Sequence, residues 1–239
     1  MRPQKFLSTA FVLLFSFQAF SLTKTITTTS NVIDKIYDQT RRNHNPIGYD
    51  TARVSLLGHM AVHEVQNKLY VKDVYCEADY VSPGIGRIPN NSVINVEHTW
   101  PQSKFGGSDR RLQKSDLHHL YPTDSQLNGI RGNNPFGEVI QDTQNTKCPM
   151  SHIGLDTAGQ RVFEPPQAHK GNVARALFYF SIRYKMKIST NEEAALRLWN
   201  IDDPVDAAEL LRNDQVEGYQ GNRNPFIDQP DLANSVSDF

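Results

Sequence analysis

The 239-residue sequence predicts an α+β domain, mostly helical. Three observations carry this. Strand-like stretches gather in the middle of the chain, helical periodicities fill both flanks, and no Pro/Gly/Ser-rich linker separates them. A chain of this length can bury one sizeable core.

In chain order, residues 1–21 place Arg2 and Lys5 before an apolar run that closes on Ala19-Phe20-Ser21. That is the layout of a secretory signal with a small-x-small cleavage site. A retained anchor is the alternative, but the run is short and interrupted by Ser8, Thr9, Ser16 and Gln18. The expected mature domain is 22–239, exported from the cytoplasm and free of the membrane once the signal is cut.

Ser30 can cap a helix in which Val32, Ile33, Ile36 and Tyr37 recur at helical spacing. Residues 51–65 lean to helix. Residues 68–81 alternate and are rich in Val and Tyr, which predicts a strand. Turn chemistry fills 82–92, and VINVEH at 93–98 predicts a short strand. KFGGSDRR at 104–111 is a loop, and DLHHLYP at 116–122 is a second strand. Thr123 and Gln126 have capping-box spacing, so a helix starts there and ends near Gly132. Residues 171–187 predict an amphipathic helix, 191–200 another, and Asp203-Pro204 the cap and first residue of a third. The Asn-, Pro- and Asp-rich tail from Gln220 is expected to wrap the surface.

Net charge is −1, and −3 once Arg2 and Lys5 leave with the signal. This is not the basic balance of a general nucleic-acid binder, but distribution matters more than the sum. Between Arg87 and Arg131 six cations stand against four anions, whereas the C-terminal fifty residues are acidic. Cys76 and Cys148 either pair in an oxidising compartment or remain two buried thiols.

The middle of the chain reads strand, loop, strand, helix. The first strand ends in Glu97-His98, and the helix carries Asn128. Carboxylate and amide oxygens suit a hard cation such as Mg²⁺, which keeps several waters. A neutral imidazole suits a base that takes a proton from water. Residues 97 and 98 point to opposite faces of an ideal strand, so one site can use both only where the strand ends, as Trp100-Pro101 allows.

Four blocks in order, NVEHTWPQSKFGG, SDLHHLYPTDSQLNGIRGN, FEPPQAHKGNVARALFYFSIRY and NRNPFIDQPDL, resemble the endonuclease I family of periplasmic and secreted nonspecific nucleases. The resemblance runs over roughly residues 30–235. It implies a ββα-metal (His-Me finger) site in a single domain. His98 would be the general base, with Glu97 and Asn128 as ligands of Mg²⁺, for which Mn²⁺ or Ca²⁺ could substitute. Arg110 or Arg111 would contact the scissile phosphate, and Lys104, Lys114 and Arg131 other phosphates. The implied substrate is DNA, with RNA as a second candidate, cut by a monomer without base selection. Two positions depart from some members: Asn95 and Lys114 stand where those have acidic residues.

Asp116 and His118 are candidates for support behind the site. His59 and His63 have the i, i+4 spacing of a zinc pair but lack a third ligand nearby, so a zinc hydrolase is the rival enzyme. A nucleic-acid-binding protein with an inactive site is the other rival, against which the intact Glu97, His98 and Asn128 speak.

Overall fold

In the computed structural model, residues 31–146 and 148–239 are described; the signal segment and Ser30 lie outside them. Helix α1 covers residues 31–41. It lays Ile36, with Val32, Ile33 and Tyr37, on the main core. Helix α2 (Tyr49–Ser55) continues into a π turn (Leu56–Met60) and stops. The helix expected to reach residue 65 therefore ends early. Gln66 and Asn67 both take positive φ, which makes the tight two-residue hairpin that joins β1 (Val62–Val65) to β2 (Lys68–Lys72). His59 thus stays on the π turn, while His63 sits on a strand 3.0 Å from Asp79.

The strand expected over 68–81 is broken in two. Asp73 is fully buried, and its carboxylate accepts the amides of Tyr75, Cys76 and Asp124. This turn halts β2, and the chain resumes as β3 (Asp79–Val81). Cys76 and Cys148 form a disulfide with Cα atoms 5.4 Å apart, which decides between the two alternatives for the cysteines.

Strand β4 (Ile94–His98) lies where the sequence places it. The following loop contains an unexpected short helix, α3 (Arg110–Ser115). The second strand starts later than expected. Asp116 accepts the amide of His118 and bends Leu117–His119 into a 3₁₀ turn, so β5 is Leu120–Asp124. His118 and His119 are therefore not alternating strand residues. The helix α4 (Ser125–Arg131) is capped by Asp124, which accepts from Gln126 and Leu127, rather than by Thr123. Strands β4 and β5 pair antiparallel with Glu97 opposite Tyr121 and His98 opposite Leu120. A small sheet follows: β6 (Gln141–Asp142), β7 (His152–Leu155) and β8 (Arg161–Glu164).

Helix α5 (Gln167–Tyr184) is not amphipathic; it is buried on nearly every face and is the axle of the core. Trp100 stacks on Phe180 at 5.0 Å, and Phe178 stacks on Phe239 at 4.2 Å. Helix α6 (Thr190–Asp202) packs beside it. A Cβ at Gly171 would collide with the Asp203 carbonyl, so glycine permits that close approach. Helix α7 (Ala207–Gln220) is capped by Asp206, not Asp203. Asp203 instead accepts the Gly171 amide. Buried Arg175 joins α5 to α7 through a bidentate pair with Glu209. The tail is not a surface wrap: α8 (Pro225–Asp228) and the turn after it bury Phe226, Ala233, Val236 and Phe239. Among the described residues no helix is long and apolar enough to cross a membrane.

The disulfide closes a separation of 72 residues. Replacing both cysteines with serine should lower the unfolding free energy by about 2–5 kcal/mol in urea melts. A variant as stable as the parent would contradict this.

Candidate active site

Strand β4 and helix α4 build one cleft of about 400 Å³. Its floor is Glu97, only 1% exposed. A buried carboxylate needs donors, and its two side-chain donors come to the same oxygen. Tyr75 donates its hydroxyl to Glu97 Oε1 at 2.9 Å, and Arg131 Nη1 lies 3.0 Å from that atom. Oε2 takes no side-chain donor among the described residues, and the His98 amide also acts on the carboxylate. Burial pushes the carboxyl above its ordinary range, with Arg131 and then the Tyr75 hydroxyl opposing.

Asn128 reaches the same cleft from α4. Its Nδ2 donates to Asn95 Oδ1 at 2.7 Å and to the Val96 carbonyl at 3.2 Å. With both amide hydrogens held by β4, the side-chain oxygen is left as a ligand atom. Asn95 thus orients Asn128. One carboxylate oxygen and one amide oxygen fit a hard divalent cation that retains water. No group of three or more His, Cys, Asp or Glu able to hold a metal occurs among the described residues. The His59–His63 zinc pair is not assembled.

His98 is the last residue of β4. Its Nε2 lies 3.1 Å from the Lys114 carbonyl, a pure acceptor, so Nε2 carries the hydrogen. The Gln102 amide nitrogen donates to Nδ1 at 3.3 Å. That tautomer leaves the Nδ1 lone pair as the acceptor, and the Gln102 amide, which lines the same cleft, occupies it in this structure. Burial, then the neighbouring His119, lowers the imidazole pKa to about 3 and keeps the ring neutral. Tyr49, Phe105 and His119 fix its plane, with ring centroids 5.5, 6.0 and 5.5 Å away.

The cations divide. Arg131, expected on a phosphate, is 1% exposed. Besides Glu97 it donates to the carbonyls of His98 and Thr99. Its charge is committed to the protein, and it positions the site instead of binding substrate. Arg110 Nη1 folds back onto the Phe105 carbonyl at 2.6 Å. Arg111 is exposed, and its side chain makes no hydrogen bond among the described residues. Lys114 lies over the Tyr49 ring at 4.5 Å, beside His98. Lys104 is exposed and lines a separate hollow with Trp100 and Glu192.

Asp116 and His118 lie behind the cleft. Asp116 accepts from Tyr179, Tyr184 and Gln220. Burial opposes its ionisation, but His44, His118, His119 and Gln220 hold its carboxyl well below the usual range. His118 contacts the Asn222 carbonyl and the Tyr179 ring. Tyr75 and Gln102 were not singled out from the sequence, and Asn95 only as a departure from some members of the family. Gln102 follows His98 by four residues in a Pro-initiated turn, the one local signal available; Tyr75 meets Glu97 only through the tertiary fold.

A family model described as Endonuclease I matches residues 25–231. An extracellular ribonuclease of Bacillus subtilis (strain 168) is 35% identical over 160 residues, covering 59% of this chain and 53% of that protein. An extracellular ribonuclease of Bacillus amyloliquefaciens is 34% identical with the same coverage. A periplasmic deoxyribonuclease of Aeromonas hydrophila is 30% identical over 153 residues, 57% of this chain and 63% of that protein. The chain spans about half the length of the two Bacillus relatives.

Burial lowers His118 and His119 to about 4, and burial with Arg212 and Arg175 lowers His169 to about 3, from 6.5. The unfolded chain takes these protons at a pH where the folded one refuses them, so stability falls as pH drops from 6.5 towards 4. Urea midpoints should decline steadily across that window; a flat midpoint would contradict the buried neutral state.

Proposed function

The chain belongs to the endonuclease I family, and from that premise we propose that it is a secreted or periplasmic, divalent-metal-dependent endonuclease. It hydrolyses phosphodiester bonds in RNA and DNA without base selection and leaves 5′-phosphate and 3′-hydroxyl ends. The observation that carries this reading is that Glu97, Asn128 and His98 line one cleft, with the Asn128 amide hydrogens held by β4. Export is supported by the 1–21 signal pattern and by relatives named extracellular or periplasmic. Both substrates are carried because relatives are named for each: ribonucleases of Bacillus and deoxyribonucleases of Aeromonas.

Glu97 and Asn128 would hold Mg²⁺, which supplies positive charge to the phosphate as negative charge builds there. The chain's own residues do the rest. Neutral His98, anchored through Nε2 on the Lys114 carbonyl, takes a proton from water at Nδ1. The water oxygen forms the new bond to phosphorus while the bond to the 3′ oxygen breaks, and that oxygen leaves with a proton from solvent. Arg111, free of protein partners, is favoured over Arg110 as the phosphate contact, with Lys114 beside it. Every recognised group is a phosphate or its oxygens, so base identity goes unread. A nucleic-acid binder with an inactive site would not need a buried carboxylate in that cleft.

Plasmid and single-stranded RNA cleavage by the mature protein should require a divalent cation and stop in EDTA. His98→Ala should cut about 10²–10⁴-fold more slowly. No cutting by the folded, oxidised wild type on either polymer would overturn the proposal.

A further inference from the structure

Outside the cleft, a hollow of about 490 Å³ is lined by Tyr37, Asp38, Arg41, Arg42, Asp109 and Arg183. We infer that Arg41, Arg42 and Arg183 form an ancillary subsite for a phosphate of the nucleic-acid backbone, distant from the one being cut. The inference rests on the nuclease reading and adds to it where the strand runs.

The three arginines are not spent on the protein. Arg41 pairs with Asp38 at 3.4 Å, but both side chains are more than half exposed, where such a pair is worth little. Arg42 and Arg183 have no carboxylate partner among the described residues. Arg183 is 7% exposed, sits at the end of α5, and leaves its buried Nε without a hydrogen-bond partner. Its Nη2 meets His44 Nδ1 at 3.0 Å, which fixes the guanidinium as a rigid floor. Arg41 and Lys185 both lie over the Tyr37 ring, at 5.4 and 4.2 Å, and add charge at the rim. A fixed guanidinium beneath exposed ones, three against the two carboxylates Asp38 and Asp109 of the same hollow, is a setting for a phosphate diester.

The position relative to His98 gives the hollow its role. Asp109, on its wall, is the residue before α3, and the carbonyl of Lys114 near the other end of α3 holds His98. Six helical residues span about 9 Å. The hollow and the base therefore lie at opposite ends of this short helix. Arg110, Arg111 and Lys114 lie on α3 itself, between the hollow and the base, and Arg111 is exposed.

The test is binding of a fluorescent 20-nucleotide DNA in EDTA across a salt series, comparing wild type, Arg41→Ala/Arg42→Ala, and Arg161→Ala on the remote strand β8. Thermal melts verify that each variant is folded. The double variant should bind about tenfold more weakly at 0.1 M salt, with the log–log salt slope flatter by about one to two. Arg161→Ala should match wild type, and millimolar inorganic phosphate should fail to displace the DNA. An unchanged slope in the double variant would overturn the subsite while leaving the nuclease reading intact. Displacement by inorganic phosphate would make the hollow a free-phosphate site and overturn it too. A wild type that neither binds nor cuts DNA or RNA would remove the nuclease reading and the subsite together.

Discussion

The contact between Arg131 and Glu97 is the constraint on which the cleft depends. A carboxylate this buried is costly unless paired, and removing one member of such a pair typically costs about 3–5 kcal/mol. Arg131 meets the cost with one guanidinium that also ties the carbonyls of His98 and Thr99, and it packs over Phe136 at 4.4 Å. The same side chain thus holds the metal-ligand candidate, the end of β4 and the start of α4's partner loop in one rigid piece. Arg131 and Tyr75 both address Oε1, so neither side chain occupies the other oxygen. An arginine that looks like a phosphate binder in the sequence is here the reason a carboxylate can sit beneath one.

The base is oriented by a different part of the fold. The Asp116 turn bends the chain into the 3₁₀ segment that puts His119 against His98, and α5 supports that turn through Tyr179 and Tyr184. Helix α3, inserted between the two strands, presents the Lys114 carbonyl to Nε2. The tautomer that makes Nδ1 the acceptor therefore follows from backbone placement. The buried central helix, the Asp116 network and the exposed catalytic edge are one mechanical chain, and the price of the open edge is met deep in the core.

Much of this was legible in the sequence because it depends on local pattern. β4 and the helix ending at Gly132 follow from short-range signals, and Glu97, His98 and Asn128, placed on that frame, line one cleft. The misreadings have a common origin in polar side chains that bond backbone amides. Asp73 splits a strand that alternation made continuous, Asp116 delays β5, and Asp124 and Asp206 take caps assigned to Thr123 and Asp203. Each choice depends on tertiary burial that periodicity cannot see. The role of Arg131, the hold of Tyr75 on Glu97 and the burial of the polar tail belong to the same class, since their partners lie far away in sequence. The helix α5 was placed correctly but its second face was not, because a helix at the centre of a core needs no polar side.

Calorimetric titration of Mn²⁺ into wild type, Glu97→Gln and Asn128→Ala tests the central claim most directly. The account predicts one bound ion per chain in the wild type. It predicts affinity lost by at least tenfold in each variant while near-ultraviolet circular dichroism stays unchanged. Equal affinity in all three proteins would contradict it and would place the cation, and with it the chemistry, elsewhere.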